Sequence, residues 1–328
     1  MDLKAEVADK GDKKMNNRFE VFATLLALLL PVTALATDGA FEINQACVAN
    51  GCFPGDTGGF PVTLANEGNY VLTSNLVLST NAQTAIQVNS DNVNIDMQGF
   101  GIFGVNQCTG MQDDCTFSGG GAGIESADTR RNIVVRNGII RGMGHAAVNI
   151  GEQSIVENII AEHNWRVGIF VRAGSTVRDS NSNFNGFLGI EAHESRLIDC
   201  SVADNGQVGF AVNRSIVVHG VAVRTANQTG ILDGYGSQIH DSLTRDNPTG
   251  IESINGATSV FGSTIIANTG VGIFARGDTG ADPIGMPILL SGNTIVLNNG
   301  GNDNVQLGGS GTFVELATNY CGRNTTCP

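Results

Sequence analysis

The chain has 328 residues, with 44 glycines, 15% charged side chains and a net charge of −13. All four lysines lie within the first fourteen residues; beyond residue 36, thirteen arginines face twenty-six carboxylates. That balance argues against nucleic acid and anionic membrane as partners, because both call for a basic surface.

In chain order, residues 21–32 form an apolar run too short to span a bilayer, followed by Ala34-Leu35-Ala36, a small-residue cleavage pattern. This predicts a secretory signal over residues 1–36, with Met15 as an alternative start, and a protein that is secreted, periplasmic or at the cell surface. Residues 37–61 are expected to be an irregular N-terminal cap carrying Cys47 and Cys52. Residues 314–328 are expected to be a C-terminal cap closed by Cys321 and Cys327. With Cys108 and Cys115, these cysteines form three short local pairs that fit disulfides in an oxidising compartment. Their spacings lack the nearby histidine that a metal site would want. Cys200 stands alone and is expected to be a small buried side chain.

Between the caps a segment of about twenty-one residues recurs, clearest as GIFVRAGSTVRDSNSNFNGFL from Gly168. It restarts at Gly189, Gly209, Gly230, Gly250 and Gly272, and more loosely at Gly123 and Ala147. Short Ile and Val runs alternate with polar residues, and Gly, Asn, Ser and Asp interrupt them every five to seven positions, which is strand and turn patterning. Two turn positions repeat: Asn158, Asp179, Asp199 and Asp241, then Asn164, Asn185, Asn205 and Asn247. Both sets are expected to form buried structural ladders. Three strands per coil predict an all-β, single-stranded right-handed parallel β-helix over residues 62–313. Nine or ten coils, with strands about 4.8 Å apart, make a rod on the order of 45 Å long. A leucine-rich repeat shares the period but wants a Leu consensus and a helical segment, and Gly and Asn interrupt every candidate helix here.

These repeats, together with GNYVLTSNLVL from Gly68 and DNVNIDMQGFGIFG from Asp91, resemble the right-handed parallel β-helix proteins of the pectate-lyase-like superfamily, exported bacterial type. The resemblance implies a fold that hosts lyases, hydrolases, uronate epimerases, tailspikes and adhesins, so it does not by itself select an activity. The polygalacturonase motifs are absent apart from a faint match at Gly144-His145. The Asp-Pro-His of alginate epimerases is also missing, since Ile284 follows Asp282-Pro283.

In such folds, the resemblance implies, ligands lie along the outer face of the first strands. Period-two alternation places Ile169 and Val171 inward and Phe170 and Arg172 outward. Carried along the repeat, the register gives a column of Glu125, Asn149, Phe170, Glu191, Ala211, Leu232, Glu252 and Phe274. A second column runs through Gly151, Arg172, His193, Asn213, Ile254 and Arg276. Arg172, Glu191 and His193 are the candidate catalytic group: a base and a fixed positive charge for abstracting a proton beside a carboxylate. Glu125, Asn149, Trp165, Phe170, Asn213, Glu252, Phe274 and Arg276 are candidate substrate contacts. The insertions at about 105–120 and 277–287 are expected to wall a groove on this face.

Glu191 and Glu252 sit three coils apart, too far for a pair of hydrolytic carboxylates. A one-residue shift that turned Asp233 outward would make an inverting hydrolase conceivable. No cofactor is expected, and metal binding has weak support: His219 and His240 stack on adjacent second strands without a third ligand, and Asp113 with Asp114 is a slight calcium signal. The sequence thus points to a monomer that contacts polysaccharide or another glycan, with lyase or epimerase chemistry open to it. The alternative is a noncatalytic, adhesin-like or structural rod.

Overall fold

The computed structural model describes residues 39–110, 114–116, 118–276, 287–301, 306–322 and 327. The segment expected to be a signal peptide lies outside these. Among the described residues every strand pairing is parallel, and the strands form a β-helix of three faces. The first face stacks eleven strands, from Val62–Leu64 to Leu307–Gly309, giving about eleven turns where nine or ten were expected. The second and third faces join into one sheet because Val134–Arg141 and Ile155–Glu162 run unbroken through both. The stack begins ahead of residue 62. Ala40–Ile43, expected to be irregular, pairs with Gly68–Leu72, and a four-residue helix, Gln45–Val48, follows it.

The interior is built from columns of like residues in register. On the first face one column runs Val148, Ile169, Ile190, Phe210, Ile231, Ile251, Ile273. All are fully buried, and burying each such side chain is worth roughly 1.5–3 kcal/mol. Phe210 is the largest and needs space: at Gly220, across the interior, an added Cβ would come within 3.4 Å of its ring.

Polar ladders line the corners. Asn164, Asn185, Asn205, Asn247, Asn268 and Asn298 are wholly buried. Asn185 Oδ1 accepts from the backbone N–H and side-chain amide of Asn164 at 3.1 and 2.8 Å, and Asn205 Oδ1 does the same for Asn185 at 3.0 Å each. Thr225 interrupts the asparagines, its N–H donating to Asn247 Oδ1. The other expected ladder is corrected. Asn158, Asp179, Asp199 and Asp241 have φ of 52°, 51°, 53° and 48° and are exposed. Short polar residues tolerate this left-handed turn, which sends their own side chains to solvent and the next residue inward. Ser180 and Ser242 therefore make the inner contacts, accepting from the N–H groups of Ile159 and Gly220 at 3.1 and 3.0 Å. A further ladder, Ser154, Ser175, Ser215 and Ser237, carries the same N–H to Oγ bonds at the corner after the first face.

The three short cysteine pairs are disulfides. Cys200 is buried and donates toward the carbonyls of Ile198 and Val177. It takes the place of the serines in its column, and burial pushes its thiol up to about 12.

Candidate functional site

The first face carries the outward column in the expected register: Glu125, Asn149, Phe170, Glu191, Ala211, Leu232, Glu252 and Phe274 are successive partners. His193 pairs with Asn213 in the neighbouring column. Beside these columns Ala146, Val167, Leu188 and Val208 form an apolar ledge separate from the main core, against which Phe170, Phe187, Ala211 and Leu232 pack. A stack of parallel strands spaced by a few ångströms thus turns a repeat in sequence into continuous rows of side chains.

Two groups form on this surface. His193 Nε2 lies 3.2 Å from Glu191 Oε1, with both side chains partly exposed. An ionised carboxylate only accepts, so Nε2 carries the hydrogen and Nδ1 is left as the proton acceptor. Arg172 reaches the opposite way along the rod. Its guanidinium donates to Asn149 Oδ1 at 2.8 Å and to the Ile150 carbonyl at 3.1 Å, and it pairs with Asp128 at 2.5 Å. Asn149 in turn donates to Glu125 at 3.4 Å, and Thr84 donates to the other Glu125 oxygen at 3.3 Å. Phe170 lies between the groups, with the Arg172 guanidinium 4.2 Å and the His193 ring 5.5 Å from its centre. The expected trio is therefore a carboxylate–imidazole pair and a separately anchored arginine, joined through one aromatic ring.

Toward the C-terminal coils, Glu191, His193, Ala211, Asn213, Leu232 and Ile254 line a cleft of about 140 Å³. The side-chain oxygen of Asn213 is buried and has no hydrogen-bond partner. Further along, Glu252 is buried and accepts from Thr229 at 2.9 Å and from Arg276 at 2.5 Å. Phe274 is next to it in register.

Trp165 and Phe187 lie in the turns leading into first strands, as expected, and are half-buried. The described part of the 105–120 insertion follows these turns. The Cys108 carbonyl contacts His163, Cys115 lies against the Trp165 carbonyl, and Gly110 approaches the Asp204 carbonyl so closely that an added Cβ would sit 2.3 Å from it. The insertion therefore borders the first face at the turns that precede Val167–Val171 and Val208–Asn213. Most of the 277–287 segment lies outside the described residues.

The sequence reading missed His145, Arg166 and Asp128. His145, Arg166 and Phe187 form their own turn column, each backbone N–H bonded to the carbonyl one coil earlier. Aligning the repeats two residues ahead of each first-strand glycine would have found them. Burial, and after it the Arg166 guanidinium, hold the His145 imidazole below its usual range, against the pull of Glu125 and Glu191. Asp128 follows the strand Ile124–Ser126 in a loop with no counterpart in the repeat, so nothing in the period marks it.

Two expectations are corrected. Asp233 points inward and is fully buried, yet it is not unpaired: it accepts from Tyr235 N, Ser237 N, Ser237 Oγ and Thr258 Oγ1 at 3.1, 2.9, 2.7 and 2.6 Å. No register shift occurs, and the conceivable second carboxylate of an inverting hydrolase is absent from the face. His219 and His240 do not stack. His240 pairs in register with Val218 and lies on Phe261, whereas His219 sits in the turn, 2.9 Å from Asp199. Among the described residues no group of three or more His, Cys, Asp or Glu is placed to hold a metal. Asp113 lies outside them, and no helix among them is long and apolar enough to cross a membrane.

Fold and surface together define a right-handed parallel β-helix protein with a polar first-strand face. Residues 75–215 match the family model described as a right handed beta helix region. No curated protein matches the sequence. Among solved structures, the A-module of the Azotobacter vinelandii mannuronan C-5 epimerase AlgE6 aligns with a TM-score of 0.57 at 15% identity, over 88% of this chain and 86% of that one. Pectate lyase Pel9A aligns with a TM-score of 0.53 at 14% identity, over 85% and 78%. The periplasmic alginate epimerase AlgG aligns with a TM-score of 0.52 at 12% identity, over 88% and 84%. At these identities the likeness is one of fold.

Proposed function

We propose that this protein is exported and holds a polysaccharide along the outer face of its first sheet, where the Glu191–His193 pair transfers the proton on the carbon beside a uronate carboxylate. The observation that carries this reading is the continuous outward row from Glu125 to Glu252, with a carboxylate–imidazole pair at its middle. Nδ1 of His193 takes the proton, Glu191 stabilises the resulting imidazolium, and the positive charge of Arg172, one coil away, favours the enolate-like intermediate. Loss of the substituent on the next carbon completes a lyase reaction; return of a proton to the opposite face completes an epimerisation. The polysaccharide-acting neighbours of the same fold and the three disulfides support the coarser part of the proposal, an exported protein acting on glycan.

The test is incubation with a panel of uronate-containing polysaccharides, followed by ultraviolet absorbance for unsaturated products and proton NMR for changed stereochemistry. His193→Ala is expected to lower the rate about 10²- to 10⁴-fold. A silent panel together with no glycan binding sinks the proposal. One observation favours the noncatalytic alternative: both arginines predicted for the face, Arg172 and Arg276, are already ion-paired. Tight glycan binding with no turnover across the panel would decide for it.

A further inference from the structure

Both arginines of the first face are ion-paired, but to carboxylates of opposite kinds. Glu252, on Arg276, has 10% of its side chain exposed and also accepts from Thr229, so it is fixed in the face. Asp128, on Arg172, is 72% exposed. Arg172 is itself anchored at one edge: Nη1 donates to Asn149 Oδ1 and to the Ile150 carbonyl, and the guanidinium lies over the Phe170 ring. Asp128 takes the other nitrogen, Nη2. It comes from the turn 127–130, which is seated on Gly151 of the next coil: a Cβ there would lie 2.1, 2.8 and 2.9 Å from the carbonyl oxygens of Arg130, Asp128 and Ala127. The other charges nearby are engaged elsewhere, Arg130 with Asp91, Arg131 with Glu152 and Glu125 with Asn149.

A guanidinium fixed at one edge and stacked on a ring does not swing out to a ligand, so an anionic group must come to Nη2. There a uronate carboxylate exchanges one charge-assisted pair for another, and an exposed aspartate gives up its pair at little cost because water takes it back. A hydroxyl offers no such exchange. We infer that Asp128 is an internal competitor for the uronate carboxylate at Arg172, and that the turn docked on Gly151 thereby sets the affinity of the first face for acidic glycan. This rests on the first face being the glycan surface. It adds a residue outside the repeat that governs how tightly that surface holds its substrate.

Calorimetric titration with acidic oligosaccharides from the uronate panel, and with the same oligosaccharides after reduction of their carboxyl groups to alcohols, tests it. Asp128→Asn is expected to bind the acidic set about three- to five-fold more tightly than wild type, the size of one exposed ion pair, and the reduced set no differently. In an Arg172→Gln background the same substitution is expected to bring no gain. Glu152→Gln, which removes an equal charge that is paired with Arg131 instead, is expected to bring a smaller gain. Circular dichroism and melting temperature establish that the variants fold. Unchanged or weaker acidic binding in Asp128→Asn, a gain that persists without Arg172, or an equal gain from Glu152→Gln or with the reduced set overturns the inference while leaving the first face as the glycan surface. Absence of acidic binding in wild type and Asp128→Asn alike overturns both.

Discussion

Asp233 occupies a position that its neighbours in register fill with Val212 and Ser253. Its carboxylate is tolerated there because two N–H groups and two hydroxyls converge on it. Charge-assisted hydrogen bonds are the stronger kind, and removing their acceptor strands the donors. Asp233→Ala is therefore expected to lower unfolding free energy by about 3 kcal/mol, with Asp233→Asn costing clearly less, as read by chemical denaturation. His145 carries a pH signature. Its imidazole titrates below the ordinary value in the folded state, chiefly through burial, whereas the unfolded chain takes up its proton at that ordinary value. The stabilisation is thus complete at neutral and higher pH and declines as pH falls through the usual imidazole range toward the lower folded value. Denaturation midpoints measured across that range are expected to slope in wild type and to flatten in His145→Gln.

At the scale of the coil, the glycine opening each repeat has a reason that spacing alone conceals. Gly189 is within a strand, not a turn, and a Cβ there would lie 2.6 Å from the Gly209 carbonyl oxygen and 2.8 Å from the Asn205 amide nitrogen. The asparagine ladder and the glycine column thus occupy the same tight corner. Asn185 serves two coils at once, since its oxygen accepts from Asn164 while its amide donates to Asn205 and to the Ala161 carbonyl. Asn185→Ala is expected to cost about 3 kcal/mol, because several buried groups lose partners together. Thr225 already interrupts the ladder with a hydroxyl that reaches Asn247. Asn185→Thr is therefore expected to recover part of the loss, and melting temperatures of the three proteins check the order.

For the whole molecule the charge of −13 opposes any anionic ligand at long range, while Arg172 and Arg276 act only locally. The Debye length shortens from about 30 Å at 0.01 M salt to about 8 Å at 0.15 M. Screening therefore removes repulsion from the distant carboxylates before it weakens contacts on the face. Affinity for a uronate-containing glycan is expected to rise, or at least hold, as salt increases over this range, measured by titration calorimetry. A steep fall would mean that the local arginines dominate. The rod itself is stabilised coil against coil, and its end strands run on to Tyr320–Cys321 under the last disulfide.

The period, the inward Ile and Val columns and the outward rows from Glu125 to Phe274 were all determined by sequence, because a solenoid converts spacing along the chain directly into neighbours across it. The direction of a long side chain and the contents of a turn were not. Arg172 could have met Glu191 one coil ahead, but Asn149, one coil back, and Asp128, in a loop outside the repeat two coils back, draw it the other way. Asp233 could have been strained or turned outward, but Ser237 and Thr258, brought close only by folding, supply its donors. Side chains with several rotatable bonds settle toward whichever partner the third dimension provides, so periodicity places their Cα atoms and leaves their charged ends to the tertiary structure.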